Sequence, residues 1–469
     1  MVDVTVTGLA AQGDSASRPA PRSGLVPWIL SSAAMLLLLL LPALWNGFPL
    51  IFPDTGGYLA RPLEGTLDLG RSALYGLFLV AGLPLAFWPV VIVQSALTIW
   101  LVVLTMRAHG LGGRPWLALG IVALLSSATS LPWLAGQLLP DVWFPAAVMA
   151  LYLLAFRDAT LALWERLLLA CVIAFAIASH MAAAGLCVGL IAALWLLGRL
   201  PRLDMPKPRL IFAVGAVAVG ILLCPVSNWA IAGKFAFTPG GSSFLFGRLV
   251  EDGIVSRYLE DRCPDPALRL CPYKAELADY DGDDWLWDPD SPFRKLDGWE
   301  GIGDEERDII LATLARYPLI HIVDAVSDIF DQLTSFQTEV SLDDNAPTIG
   351  AFHDWAPHLL PQLMRARQQT GRINVSALNL VHVPVAALAM AGLLAAMIFR
   401  RPAKLAPELA ALAATVLLAL FVNAAICAVC SHAVDRYQSR LAPLALFVVA
   451  LTVVEGWRRT RLGATRDLS

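Results

Sequence analysis

The residues of this sequence that could do chemistry are charged and polar side chains beside long apolar segments. A charged group next to a membrane segment is costly, so each one is a candidate for a functional site. The candidates are Asp54, Tyr58, Arg61, Arg71, Asp141, His180, His432, Asp435, Arg436, Tyr437 and Arg440. If the apolar segments cross a membrane in alternation, all of these residues fall on one face. Snorkelling side chains and solvated loops would give the same pattern, so both explanations stay open.

Asp54 gives the sharpest signal of this set. It lies in the segment FPDTGGY, residues 52–58, directly after the first apolar segment. A carboxylate there meets both water and lipid headgroups, so partial desolvation should raise its pKa and let it accept a proton from a hydroxyl. Pro53 and the two glycines predict a tight turn around Asp54. Alternatively, Asp54 caps the helix that contains Tyr58.

The composition indicates a membrane protein. Of the 469 residues, 57% are hydrophobic and only 15% are charged, and the mean hydropathy is +0.65. Soluble domains carry about 25% charged residues, so these figures exclude a soluble globular enzyme, a disordered protein and a nucleic-acid-binding protein. We therefore expect an all-α polytopic membrane protein.

About ten segments are apolar and long enough to be predicted transmembrane helices, at about 20 residues per crossing. They lie near residues 26–47, 86–106, 115–132, 138–156, 164–179, 183–198, 210–232, 376–398, 405–430 and 438–456. Basic residues flank these segments unevenly, with 17 on one face and five on the other. The positive-inside rule then places both chain ends in the cytoplasm.

One long acidic loop interrupts the series and is expected to face the exterior. It contains 25 of the 38 acidic residues and 12 of the 34 basic residues, which gives it a net charge of −13. The chain is thereby divided into five parts. They are a cytoplasmic tail at 1–24, an N-terminal transmembrane module at 25–234, an extracytoplasmic loop domain at 235–375, C-terminal transmembrane helices at 376–457 and a basic cytoplasmic tail at 458–469.

Two apolar stretches do not fit a single upright helix. Residues 73–84 are too short to cross, and we expect an interfacial helix on the outer leaflet. Residues 167–198 are too long for one helix and short for two full ones. This stretch should run out and back, with its turn at Ser179 and His180.

Within the loop, residues 304–316 and the segment that begins at Pro318 are predicted helices. The second carries apolar residues at helical spacing, and we expect this stripe to pack on the membrane domain. The stripe consists of Leu319, Ile322, Val323, Val326, Ile329, Phe330 and Leu333. Cys263 and Cys271 are the loop's only cysteines, and an oxidising compartment favours a disulfide between them over two free thiols.

Two residue clusters resemble metal ligands without a matching pattern. Six aspartates between residues 279 and 290 surround Trp285 and Trp287, and they read as a solvated acidic turn in which a divalent cation is possible. Cys427, Cys430 and His432 are zinc-type ligands, but no second cysteine pair accompanies them. We therefore assign no metal ligands from the sequence.

Several motifs together resemble the GT-C superfamily of integral membrane glycosyltransferases, such as protein O-mannosyltransferases and lipid A aminoarabinose transferases. The first outer loop carries an acidic residue, Asp54, and the segment RSALY from Arg71 leads into a short helix. A second acid, Asp141, stands in LLPD before a later helix, and DRYQSRLAP at 435–443 is similar to an arginine–tyrosine element of such enzymes. Many relatives have an Asp-Glu pair where Asp54 is followed by threonine, which argues against direct metal binding by Asp54.

The resemblance implies a sugar donor carried on a polyprenyl phosphate and an acceptor that is a lipid, a glycan or a protein. Asp54 would deprotonate the acceptor hydroxyl, which displaces the lipid phosphate with inversion. The donor phosphate would be bound by Arg436, Arg440, Arg71 and His180, and the substrates would be positioned by Tyr58, Asp141 and Arg61. The enzyme would lie in a bacterial inner membrane with its site facing the periplasm.

Other functions remain open from the sequence, and no sequence feature excludes a scaffold of an envelope assembly. An acyltransferase that uses His180 has no supporting motif. A ligase of the O-antigen type would use a diphosphate-linked donor, which an acidic outer loop suits poorly. A transporter or flippase of envelope glycolipids would carry charges at mid-membrane and internal repeats, and neither is evident here.

Overall fold

The structure is a computed structural model that describes residues 24–67, 71–200, 205–238, 240–340, 345–402 and 405–466. Residues 1–23 and 467–469 of the two predicted tails lie outside the described residues. Throughout the described part the chain is helical, and its only β-type pairing is one isolated bridge between Leu50 and Gln137. This agrees with the all-α membrane class expected from the composition.

The helices that precede the loop domain follow one another closely. They are α1 (Leu25–Asn46), α2 (Pro53–Glu64), α3 (Ala73–Gly82), α4 (Trp88–Ala108), α5 (Pro115–Ala128), α6 (Leu131–Ala135), α7 (Trp143–Phe156), α8 (Leu163–Ser179), α9 (Met181–Leu197) and α10 (Ile211–Ala232). Short 3₁₀ turns occupy Leu83–Leu85, Pro140–Val142 and Asp158–Thr160.

The loop region and the C-terminal part are also helical. They contain α11 (Gly241–Glu251), α12 (Ile254–Arg262), α13 (Gly282–Trp287), α14 (Pro292–Lys295), α15 (Gly298–Gly301), α16 (Gly303–Arg316), α17 (Pro318–Thr334), α18 (Ala346–Trp355), α19 (Leu360–Met364), α20 (Val375–Ile398), α21 (Pro407–Cys430), α22 (Asp435–Ser439) and α23 (Ala442–Arg466).

Six helical segments of the described chain are long and apolar enough to cross a membrane. They are α1, α4, α10, α20, α21 and the stretch Asp435–Arg459, which combines α22 with most of α23. The other four predicted spans form shorter helices, because Pro132 follows soon after α5, a proline-led 3₁₀ turn precedes α7, and His180 separates α8 from α9. Helices α8 and α9 have 17 residues each, or about 26 Å of axial length.

The polar connections between these helices collect at two ends of the helical domain. At one end, which we call the basic end, Arg107 pairs with Glu165 at 2.6 Å, and Arg157 lies 3.6 Å from Glu408. At the other end, which we call the site end, Asp54 meets Arg71 and Arg436. The loops predicted on one face of the membrane therefore contact one another.

Helices α8 and α9 run out from the basic end and return to it. The backbone N–H of Arg209 donates to the carbonyl of Ala155, 2.8 Å away, so the start of α10 lies beside the chain that leads into α8. Gly198, just after α9, lies so close to Pro208 that an added Cβ would be 2.7 Å from its ring. Both ends of the pair are thus at the basic end, and His180 is at the turn, as the sequence predicts.

Helix α3 packs against α2, α4, α8 and α10 with Tyr75 and Leu79 fully buried, and its position on the outer leaflet stays a prediction. The expected packing of the apolar stripe on α17 is wrong. Helix α17 does pack on α21, but its apolar stripe points away, and Leu319 and Phe330 are 75% and 65% exposed. The side that faces the protein is polar, because Asp328 on that side pairs with the buried Arg248 at 2.6 Å.

The loop domain has a core of its own. Trp285 is fully buried among Phe246, Phe293 and Ile309, which come from three different helices. Cys263 and Cys271 are joined by a disulfide that closes a loop below this core. The domain therefore does not depend on the membrane helices for its hydrophobic core.

The close contact between α2 and α18 gives a test of the packing around the site. A Cβ on Gly56 would lie 2.5 Å from the Cα of Thr348, so Gly56→Ala must push the two helices apart, at a cost of about 1–3 kcal/mol in the free energy of unfolding. Gly215→Ala is the matched control, because a Cβ there meets nothing within 4 Å. Thermal unfolding of the purified variants should show a lower Tm for the first alone. An unchanged Tm for Gly56→Ala would contradict this packing.

Candidate functional site

Helix α2 presents Asp54 without using it as a cap. The cap hydrogen bond is made by Thr55, whose hydroxyl accepts from the Phe52 N–H at 2.9 Å and donates to the carbonyl of Leu138 at 3.2 Å. Pro53 occupies the first helical position, where its missing N–H costs nothing. The predicted tight turn is therefore the first turn of a helix, and the Asp54 carboxylate is left for other partners.

Those partners are two arginines from distant parts of the chain. Arg71 donates from Nη2 to Oδ1 of Asp54, and Arg436 donates from Nη1 to Oδ2 at 3.0 Å. Gly57 makes the close approach of Arg71 possible, because a Cβ at Gly57 would lie 2.6 Å from the Cδ atom of Arg71. Each carboxylate oxygen thus binds its own guanidinium. We call Arg71 and Arg436 the arginine pair.

The arginine pair reverses the expected effect of burial on Asp54. Burial would raise the pKa of Asp54, as predicted, but the charges and hydrogen bonds of Arg71 and Arg436 outweigh it and hold the pKa well below its usual range. With both arginines bound, Asp54 is a carboxylate at any physiological pH and a weak proton acceptor. Its expected basicity is therefore not present in this arrangement.

Aromatic rings support both members of the arginine pair. The Arg436 guanidinium lies over Phe52, 4.4 Å from the ring centroid, and the Arg71 guanidinium lies 5.1 Å from the Trp287 centroid. Such cation–π contacts fix the position of a guanidinium while leaving its N–H edge to bind oxygen. The sequence analysis placed Trp287 in the acidic cluster and did not predict its contact with Arg71.

Arg440 and Asp141 form a second, closed ion pair. Arg440 is fully buried, and its guanidinium donates to Asp141 Oδ1 at 3.0 Å and to Asn423 Oδ1 at 2.9 Å. It also lies 3.4 Å from the centroid of the Phe144 ring. Neither residue faces an open site, so the expected roles of Arg440 in phosphate binding and of Asp141 in substrate positioning do not fit this geometry. The pair instead holds the start of α7 against α21 and α22.

The remaining predicted residues are divided between the site and its surroundings. His180 is near the arginines, and its Nδ1 accepts from the Ala182 N–H at 3.2 Å, which leaves Nε2 as the donor. Tyr58 is buried edge-on against Tyr75, and burial raises the pKa of Tyr58, so its hydroxyl stays protonated. Arg61 lies two turns beyond Asp54 on α2, where it contacts the exposed side chains of Glu64 and Thr66.

A second carboxylate, Glu339, was not predicted from the sequence. It follows α17 in a segment that is held on one side by Thr338, which bonds to His382, and on the other by the buried Val340. The Glu339 carboxylate lies near the backbone and the charge of Arg436. Burial raises the pKa of Glu339, opposite to the shift of Asp54. No local motif marks Glu339, because it reaches the site only through tertiary structure.

The loop domain reaches the site through α13. Trp287 covers Arg71, and Asp283 lies 3.4 Å from the Nε2 atom of His432, four residues before Arg436. Burial lowers the pKa of His432, but the hydrogen bond and charge of Asp283 outweigh it and raise the pKa above the usual 6.5. Two residues of the acidic cluster, Asp283 and Trp287, therefore contact the site and are not simply part of a solvated turn.

We find no metal cluster among the described residues, and the cavity lined by His109 and its neighbours lies far from Asp54. Among the described residues, no group of three His, Cys, Asp or Glu side chains is arranged to hold a metal ion. A cavity of about 230 Å³ lies at the basic end, lined by His109, Arg157, Glu408 and Glu455 among others. It is at the opposite end from Asp54, and its arginine is already paired with Glu408.

The closed pair predicts a large difference in stability between two arginine variants. Arg440→Gln removes the one guanidinium that is hydrogen-bonded to the buried Asp141, leaves it only the nearby charge of Arg436, and should lower the free energy of unfolding by about 3–5 kcal/mol. Arg436→Gln should cost much less, because Asp54 keeps Arg71 and is partly exposed. Thermal unfolding in detergent would compare the two, and equal losses would contradict a purely structural role for Arg440. The double variant Asp141→Asn, Arg440→Gln should recover part of the loss.

The contact between His432 and Asp283 predicts a pH dependence of the loop domain's attachment. Because the pKa of His432 is raised on folding, its contribution is complete below pH 6.5 and is lost as the pH rises through the higher folded value. Limited proteolysis of α13 should therefore be slower at pH 6 than at pH 8.5. In His432→Gln the difference should shrink. A wild-type difference that persists in this variant would show that other groups cause it.

Comparisons with known proteins found no relative. No family model, no curated protein and no solved structure matches this chain. The activity of the site end is therefore inferred from its residues and their contacts.

Proposed function

We propose that this protein is a membrane glycosyltransferase that moves a sugar from a polyprenyl phosphate to an acceptor hydroxyl at the site end. One observation carries the proposal: the Asp54 carboxylate is held between the two guanidinium groups of the arginine pair. A carboxylate that binds two arginines occupies the place that a phosphate would take. The GT-C resemblance supplies the donor class, and this geometry supports it.

The arginine pair is suited to a phosphate that comes and goes. Guanidinium groups bind phosphate oxygens through paired N–H bonds, and both arginines are largely but not fully buried, at 15% and 13% exposure. Arg440 is fully buried and bonded to Asp141 and Asn423, so it could not exchange partners in this way. His180 Nε2 is a further donor near Arg436.

Donor binding would also activate Asp54. When phosphate oxygens take over the arginine N–H groups, Asp54 loses the two contacts that hold its pKa down, and burial then raises it. In the transfer step the acceptor oxygen bonds to the anomeric carbon, the bond from that carbon to the phosphate oxygen breaks, and the hydroxyl proton passes to Asp54. The leaving phosphate keeps the electron pair, and the arginine pair balances its charge.

The same proposal includes the membrane arrangement. The six long helices with α5, α7, α8 and α9 give ten crossings, both chain ends in the cytoplasm and the site end outside. The 17 basic residues on one face against five on the other support this orientation. In a bacterial inner membrane the site would face the periplasm, where lipid, glycan and protein acceptors are present. Helix α13, which touches both Arg71 and His432, would then help to select the acceptor.

Donor consumption in liposomes tests the proposal. Wild type, Asp54→Asn and the control Glu408→Gln, a paired carboxylate at the basic end, would be incubated with a panel of polyprenyl-phosphate sugars and membrane extract. Mass spectrometry should show consumption by wild type and the control, and a loss of about 10²–10⁴-fold in Asp54→Asn. Arg436→Lys should weaken donor binding, because a lysine cannot form the paired contacts.

Each other outcome has a defined meaning. Equal turnover by wild type and Asp54→Asn would remove Asp54 as the base, and Glu339→Gln would then be the variant that loses activity. We expect Glu339→Gln to lose only a few-fold if Asp54 accepts the proton. No consumption of any monophosphate donor by wild type would contradict the proposal and favour a diphosphate-donor ligase or a transporter.

A further inference from the structure

We propose that α17 is a membrane-contacting helix whose apolar stripe is covered by the acyl chains of the leaflet at the site end. Helix α17 belongs to the loop region, which composition alone places in water. It carries, however, an exposed apolar stripe that runs from Leu319 to Phe330. The exposed side chains are Leu319, Ile322, Val323, Val326 and Phe330.

The arrangement of α17 is the reverse of a helix on a water-soluble protein. Such a helix buries its apolar stripe and exposes its polar side. Here His321 and Gln332 are buried, and Asp328 faces the protein, where Arg248 binds it through both Nε and Nη2 at 2.9 and 2.6 Å. The apolar side is left outward because the polar side is bound. Lipid is the solvent that favours this arrangement.

The neighbours of α17 indicate acyl chains rather than a second protein. Helix α17 packs against α21, which is one of the membrane-length helices, and Phe421 of α21 is itself exposed. Helix α17 is therefore attached to a helix of membrane length that has a side chain exposed at mid-helix. A bend of 102° separates α17 from α16, whose first turn is acidic and whose Ile309 belongs to the loop-domain core. The bend turns the chain from the aqueous domain onto the membrane.

This contact would link the bilayer to the site. Near the end of α17, Gln332 donates from Nε2 to the carbonyl of Val434 at 2.7 Å and accepts from the Val434 N–H at 3.2 Å. Val434 is two residues before Arg436. The depth of α17 in the leaflet would thereby set the height of one member of the arginine pair relative to the lipid headgroups. The inference does not depend on which reaction the site performs.

Photo-crosslinking to lipid tests the proposal. A benzophenone amino acid would be introduced at Val326 or Phe330, on the stripe, and at Asp331, which is exposed but off the stripe. Leu388 on the membrane-length helix α20, 72% exposed, is the positive control. The full-length protein would be irradiated in phosphatidylcholine liposomes at a low protein-to-lipid ratio, and adducts identified by mass spectrometry.

We expect lipid adducts at Val326 and Phe330 at yields close to that at Leu388 and several-fold above that at Asp331. Adduct yields on the stripe no higher than at Asp331 would show that water covers it and would overturn the proposal. Crosslinked dimers in place of lipid adducts would show that a second copy covers it, which also overturns the proposal. Because each variant adds one bulky apolar group on an exposed surface, folding can be checked by size-exclusion profile before irradiation.

Discussion

The architecture of the site end depends on one constraint: the positive charges of Arg436 and Arg440 must each be balanced by a carboxylate. They are four residues apart around α22, so both point into the same region of the protein. A buried guanidinium requires a carboxylate, and each arginine obtains one from a different segment of the N-terminal module. Satisfying both charges brings α2 and the start of α7 against the C-terminal helices. The two halves of the chain are joined by this requirement.

The two ion pairs differ in burial, and this difference separates a structural role from a chemical one. The pair of Arg440 and Asp141 is buried, and Arg440 also bonds to Asn423 and contacts Phe144. The pair of Arg436 and Asp54 is shared with Arg71 and keeps some exposure. Because the pair of Arg440 and Asp141 is fixed, it holds the neighbouring Arg436 in a constant position. Chemistry at Asp54 then needs only a change of partners, and no helix has to move.

Much of the candidate site could be predicted from the sequence, because rare polar residues beside apolar segments stand out. Asp54, Arg71, His180 and Arg436 converge as the alternation of helices predicts. Pairing could not be predicted, since Asp54 and Arg436 are 382 residues apart and nothing local shows which carboxylate binds which arginine. The pKa of Asp54 is lowered and not raised as predicted, because its pairing with two arginines could not be foreseen.

In the fold, too, some features follow from the local sequence pattern and others depend on tertiary contacts. The helical class, the out-and-back path at His180 and the helical spacing of the α17 stripe follow from local pattern. The direction in which that stripe points does not, because it depends on Arg248, a residue of another helix. Glu339 was missed because it lies in an extended segment without periodicity and acquires its neighbours only from tertiary packing.

The short helices α8 and α9 have a consequence for the thickness of the bilayer around the site. At about 26 Å each they are roughly 10 Å shorter than the 24-residue helix α21 beside α9. A bilayer relieves such a mismatch by thinning locally, and the headgroup plane follows the protein surface inward. In the proposed arrangement of ten crossings, the polar boundary above His180 would therefore be lower than it is around the rest of the molecule. An amphiphile with a long tail and a charged head could bring that head to the arginines without leaving its own leaflet.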